Sequence, residues 1–140
     1  MTANEAWFHW YTQQIDKPKD WQTYRDRLLC PCCHMPTLVE RAVFDICPTC
    51  DWEDDGQDSD DADTVRGGPN ADYSLTEARA NFASHLTMYR PDDTRAFTRS
   101  TSDRETKRAM VESFLHAMHS DADSDWQSSL ELETRLFGRD

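Results

Sequence analysis

Four cysteines set the frame for this chain. Cys30 and Cys33 bracket Pro31-Cys32, Cys47 and Cys50 bracket Pro48-Thr49, and thirteen residues separate the two pairs. Two residues between cysteines let the backbone curl until both sulfurs face one point, and the turn's own amides can hydrogen-bond the thiolates. Two such turns supply four thiolates in a tetrahedron, the closed geometry of structural zinc. One structural zinc ion on Cys30, Cys33, Cys47 and Cys50 is therefore expected. The start Met1-Thr2-Ala3-Asn4-Glu5 lacks the basic residues and apolar run of a signal peptide. The cysteine pairs thus read as metal ligands of a cytoplasmic protein and not as disulfides. Iron competes for a four-thiolate site, but nothing else in the chain suggests electron transfer. Cys32 is left over, expected to point outward between the ligands. It is either an idle or packed cysteine or a thiol whose reactivity the metal alters.

Between the pairs, Thr37–Glu40 and Val43–Ile46 read as two short strands, so the cysteine turns are expected at the ends of one hairpin. Helices are expected around it. Trp7, Trp10, Tyr11 and Ile15 form a helical stripe within residues 3–16, and Asp20 can cap a short helix with Trp21, Tyr24 and Leu28 on one face. Ser74-Leu75-Thr76-Glu77 is a capping box that opens a helix burying Leu75, Ala78, Phe82 and Leu86. Ser102 and Glu105 repeat that pattern before a helix with Met110, Val111, Phe114, Leu115 and Met118 inward. A last helix spans 124–137, with Trp126, Leu130 and Phe137 on one side. No internal repeat is evident. The expected fold is α+β, a small zinc-bound β-hairpin packed among about five α-helices. It forms a single domain over 1–140, with N-terminal helices over 1–27, a zinc-ribbon-like unit with an acidic loop over 28–65 and a helical part over 66–140. Charged residues make up 30% of the chain and hydrophobic ones only 37%, so the core is small and benefits from a metal staple.

Charge bounds the partners. A net charge of −12 repels nucleic-acid phosphates and anionic membranes and attracts basic proteins. No apolar run approaches the length of a membrane span. The acid is concentrated after the second cysteine turn, at Asp51, Glu53, Asp54, Asp55, Asp58, Asp60, Asp61 and Asp63, with no Lys or Arg between Arg41 and Arg66. Asp51-x-Glu53-x-Asp55-Gly56 imitates a calcium loop, but the twelfth position is Ala62, where a bidentate Glu is required. The segment is either a solvated loop or a rigid negative face for a basic protein, made of Asp51, Trp52, Glu53, Asp54, Asp55, Asp58, Asp60 and Asp61. In the second case Trp52 is its anchor; otherwise Trp52 packs on the ribbon. His116 and His119 lie three apart, short of the three protein ligands zinc wants.

The cysteine turns, the Trp52-Glu53-Asp54-Asp55 run, the Gly67-Gly68-Pro69-Asn70 turn and Ser74-Leu75-Thr76-Glu77-Ala78-Arg79-Ala80-Asn81-Phe82 together resemble the bacterial cysteine-rich CPCC family over roughly residues 28–85. His34 departs from its pattern, in which a glycine usually follows the first turn. The resemblance implies a zinc-ribbon-like unit, and gene settings in which some members look like immunity proteins against interbacterial toxins.

Three functions follow. The first is an immunity protein that occludes a toxin's basic surface. The second is a regulatory zinc-ribbon adaptor of transcription or translation machinery. The third is an enzyme or redox sensor using Cys32. No Gly-x-Ser-x-Gly elbow, His-Glu-x-x-His or phosphate-binding glycine loop supports catalysis, so no catalytic residue is assigned. Oligomeric state is not legible.

Overall fold

Arg25 and Asp26 both have left-handed backbone angles (φ 48° and 65°), the combination that lets a two-residue loop follow the twist of its flanking strands. In the computed structural model, which describes residues 21–138 together with Thr2 and Glu5, that turn joins β1 (Thr23–Tyr24) to β2 (Arg27–Leu29). β2 in turn pairs antiparallel with β3 (Pro36–Leu38). A hairpin thus replaces the short helix expected after Asp20. The spacing of Trp21, Tyr24 and Leu28 imitated a helical face, but the turn at Arg25-Asp26 decides the local structure. The helix expected over 3–16 falls, but for Glu5, outside the described residues.

The chain divides into two compact units, Met1–Tyr89 and Arg90–Asp140. In the first, α1 (Leu75–His85) opens at Ser74, whose hydroxyl accepts the Glu77 N–H. It closes at Leu86, where a left-handed residue (φ 65°) returns its N–H to the Phe82 carbonyl. Leu75, Ala78 and Phe82 turn inward from this helix, and Met35, Leu38, Trp52, Tyr73 and Met88 complete the core.

The second unit is a helical hairpin of α2 (Thr101–Ser120) and α3 (Asp123–Phe137). The cap of α2 is Ser100, whose hydroxyl accepts the Asp103 N–H at 3.1 Å, and not the expected Ser102. Met110, Val111, Phe114 and Ala117 form the buried stripe of α2, while Leu115, expected inward, is 53% exposed. Phe114 meets Trp126 of α3 at 5.7 Å between ring centres, and the hydroxyls of Ser113 and Ser129 pair at 2.8 Å. Among the described residues there are three α-helices and two single-turn 3-10 helices (Ser59–Asp61 and Gly68–Asn70), where about five α-helices were expected. The architecture is α+β, a small antiparallel sheet with helices. None of the described helices is long and apolar enough to cross a membrane.

Candidate metal centre

Each cysteine pair is the turn of its own hairpin. In the first, Leu29 stands opposite Pro36; the Cys30 N–H donates to the Met35 carbonyl (3.0 Å) and the His34 N–H to the Cys30 carbonyl (2.9 Å). In the second, Ile46 stands opposite Glu53; the Cys47 N–H donates to the Trp52 carbonyl (2.9 Å) and the Asp51 N–H to the Cys47 carbonyl (2.9 Å). The two turns match contact for contact. His34 and Asp51, which follow them, are both left-handed (φ 62° and 75°), and the next residues, Met35 and Trp52, are both buried.

This arrangement corrects two expectations. The chain does carry an internal repeat, one of backbone geometry that the cysteines alone make visible in sequence. The single hairpin of Thr37–Glu40 and Val43–Ile46 does not form either. β3 stops at Leu38, and left-handed angles at Ala42 and Phe44 (φ 61° and 67°) break the second strand. The chain then pairs forward instead: the Phe44 N–H donates to the Asp54 carbonyl and the Asp54 N–H to the Asp45 carbonyl, both at 2.9 Å.

The two turns bring Cys30, Cys33, Cys47 and Cys50 together, with all four sulfurs within 4.8 Å of one another. Cys30 and Cys50 are 3.6 Å apart and Cys33 and Cys47 3.7 Å. No disulfide joins them. A tetrahedral ion with metal–sulfur bonds of about 2.3 Å needs sulfur–sulfur edges of about 3.8 Å. The donor set and its spacing therefore fit a metal ion.

One helix holds both turns. The Arg79 Nε–H of α1 donates to the Pro31 carbonyl (2.8 Å). Just beyond the end of the same helix, the Met88 N–H donates to the Cys50 carbonyl (2.8 Å) and the Thr87 hydroxyl to the Asp51 carboxylate (2.8 Å). The Thr37 hydroxyl lies 3.0 Å from the Cys47 sulfur, placed to donate to it as a thiolate. Burial pushes the thiols of Cys30, Cys33 and Cys50 well above the ordinary range. Burial acts on Cys47 too, but hydrogen bonds from Cys30, Cys33, Cys50 and Thr37 outweigh it and hold that thiol well below the range. Cys32 does not point outward. It is 3% exposed, as is fitting for the counterpart of Thr49, which is also buried.

His34 carries a side chain in backbone geometry that costs glycine nothing. Relief of that strain exceeds the added chain entropy, so His34→Gly is expected to stabilise the metal-loaded protein by about 0.5–1 kcal/mol. Thermal unfolding at fixed zinc concentration checks this, and a lowered midpoint would show that the imidazole's contacts matter more than its backbone.

A family model described as cysteine-rich CPCC matches residues 28–105, more than half of the chain. The chain belongs to the cysteine-rich CPCC family. No curated protein and no solved structure matches it.

In this CPCC chain the acidic segment is partly internal. Of the eight residues read as a docking face, Trp52, Asp54 and Asp55 are fully buried, which removes them from any such face. Asp51, Glu53, Asp58 and Asp61 are partly exposed and Asp60 is exposed. Cations from outside the run account for the burial. Arg41 Nε–H donates to Asp54 (2.8 Å) and its Nη2 to Asp58 (3.1 Å), Arg66 pairs with Asp61, and Arg79 lies 3.8 Å from Asp58. Asp58 also caps the 3-10 turn Ser59–Asp61 through a capping box.

Asn70 is the residue that sequence reasoning passed over. Its side-chain carbonyl accepts the Glu53 N–H (3.1 Å) and its amide donates to the Glu53 carbonyl (2.7 Å), so one side chain pairs with Glu53 as a neighbouring strand would. The Gly67-Gly68-Pro69 run that precedes it was the available signal. Left-handed angles at Gly67 and Gly68 (φ 74° and 67°) fold the chain back until Asn70 meets the hairpin.

Asp55 is the exception among these acids. One of its oxygens accepts the Gln57 N–H (3.0 Å), while Oδ2 is buried without a hydrogen bond. Burial raises its pKa to about 6, against the opposing pull of the Gln57 N–H and of Arg66. Because the folded-state value lies above the unfolded one, the stabilisation is full below about pH 4 and is lost as pH rises through about 6. Asp58 works in the opposite sense: although burial raises it, the Ser59 N–H and Arg41 outweigh burial and hold it below the usual range. A comparison of variants isolates Asp55. Asp55→Asn is expected to be more stable than the parent by about 2 kcal/mol near pH 7.5, with the gap closing near pH 4. Urea unfolding at both pH values measures this; a gap independent of pH would remove the carboxyl's titration as its cause.

Proposed function

We propose that this CPCC chain is a zinc-stabilised protein-binding module, and that it acts as an immunity protein neutralising an interbacterial toxin by occupying a basic surface. The observation that carries the binding reading is the closure of the sulfur site. Cys30, Cys47 and Cys50 are 0% exposed and Cys33 is 6% exposed. Four buried thiolates complete a tetrahedral shell and leave no position for water or substrate, as in a structural zinc site and unlike a catalytic one. The metal then serves to present a surface, and that surface carries the charge excess of −12. Acidic surfaces speed association with basic proteins through long-range steering. The immunity role itself rests on the family resemblance.

Affinity capture with the zinc-loaded chain at low and raised salt tests the reading. A single basic, toxin-like protein is expected, retained near-stoichiometrically and released as salt rises. Glu53→Lys with Asp60→Lys, which leave the buried carboxylates in place, is expected to weaken capture about tenfold or more. Recovery of polymerase or ribosome would replace the immunity role with that of a regulatory zinc-ribbon adaptor. Recovery of nothing would sink the binding reading.

A further inference from the structure

The two cysteine hairpins match along their inner contacts and differ at one outer edge. Leu29 in the first holds the ladder position that Ile46 holds in the second, opposite Pro36 and Glu53 respectively. The outward N–H of Leu29 donates to the carbonyl of Gln22 (3.0 Å), the residue before β1, so the β1 segment covers that edge. The Ile46 N–H has no backbone partner among the described residues, and its side chain is 60% exposed. On the far side of the second hairpin, Asn70 already occupies Glu53. The open edge is therefore on the Ile46 side.

The neighbourhood of that edge has the composition of an interface, apolar within and charged around. Val39 and Val43 of the preceding loop are 81% and 45% exposed, Glu40 and Asp45 are exposed, and Glu53 is partly so. An uncovered edge with exposed β-branched side chains is a template for an added strand, in which main-chain hydrogen bonds give affinity and side chains give selectivity. The surrounding carboxylates select a basic sequence.

We infer that the edge at Asp45–Cys47 docks an extended basic segment of a partner protein, added antiparallel as β1 is added to β2. This rests on the protein-binding reading and gives it a location. The segment's backbone meets the Ile46 N–H, its apolar side chains meet Ile46 and Val43, and its Lys or Arg residues meet Glu40 and Asp45.

The probe is a short acetylated peptide of alternating Lys and Val, titrated into the zinc-loaded, nitrogen-15-labelled full chain. A second peptide of the same sequence has alternate backbone amides N-methylated. The Ile46 amide is expected to shift and gain exchange protection with the first peptide and not the second. Ile46→Lys, at an exposed position, is expected to raise the Kd at least about tenfold, and Glu112→Lys, at an exposed position of α2, to change it less than about twofold. An unmoved Ile46 amide, equal binding by Ile46→Lys or equal binding of the N-methylated peptide would each overturn the inference. So would protection of Ile46 that grows with protein concentration without peptide, which assigns the edge to a second copy. The two readings fail separately. A captured partner held equally well by Ile46→Lys refutes the edge and leaves the binding reading. Peptide bound at Ile46 with no protein ever captured does the reverse.

Discussion

Removal of the metal with a chelator is expected to unfold the Met1–Tyr89 unit. Its strands are two or three residues long, too short to hold a sheet unaided, and the ladder around the second turn is one isolated bridge, Ile46 opposite Glu53. Structural zinc sites of this type contribute about 10–16 kcal/mol, as much as the entire stability of a typical small domain. The Cys47 N–H, bonded to Trp52 within the turn, reports directly on the site. Hydrogen exchange at Cys47 and Asp51 is expected to rise to unfolded rates on chelation and to slow again when zinc is restored. Protection that survives chelation would mean that packing of Trp52, Tyr73 and α1 suffices, and that the ion is an addition to a fold already formed.

The second large effect is expected at Asp54, which is 0% exposed and accepts three donors. They are Arg41 Nε–H at 2.8 Å, the Ala42 N–H at 2.7 Å and the Gly56 N–H at 3.1 Å. Arg41 itself is 8% exposed, with its guanidinium 4.1 Å from the centre of the Trp21 ring. Asp54→Ala strands two backbone donors and leaves that buried cation with Asp58 alone (3.1 Å), at an expected cost of about 3–5 kcal/mol. Arg41→Met is expected to cost less, because Asp54 keeps the Ala42 and Gly56 N–H groups. Combining Arg41→Met with Asp54→Leu is expected to recover part of the loss, since an apolar pair needs no desolvated partner. Urea unfolding of the zinc-loaded proteins measures all three. A cost below about 1 kcal/mol for Asp54→Ala would place the pair with solvated surface ion pairs.

Asp54 also marks where sequence reading ran out. The four metal-binding candidates were legible because ligand chemistry fixes both residue type and spacing. α1 was legible because Ser74 and Glu77 sit at the cap spacing just before an apolar stripe. The acidic segment reads as a solvated loop or a docking face because it contains no cation, but the cations that pair with it, Arg41, Arg66 and Arg79, come from outside the run. Charge counted along the chain does not reveal charge paired across space. The strands failed for a different reason. Two or three residues are too few to establish a period of two, and the turn at Arg25-Asp26 carries no glycine or asparagine to announce its left-handed angles. The cap of α2 moved from Ser102 to Ser100 because both serines precede suitable donors, and only the backbone's entry angle chooses between them.

The pairing of Asn70 with Glu53 sets a valency. A side-chain amide satisfies one N–H and one C=O and presents no further edge of its own, so it terminates the sheet where a true strand would have continued it. The second hairpin can therefore be extended in one direction only. Strand addition at this hairpin is confined to the Ile46 edge.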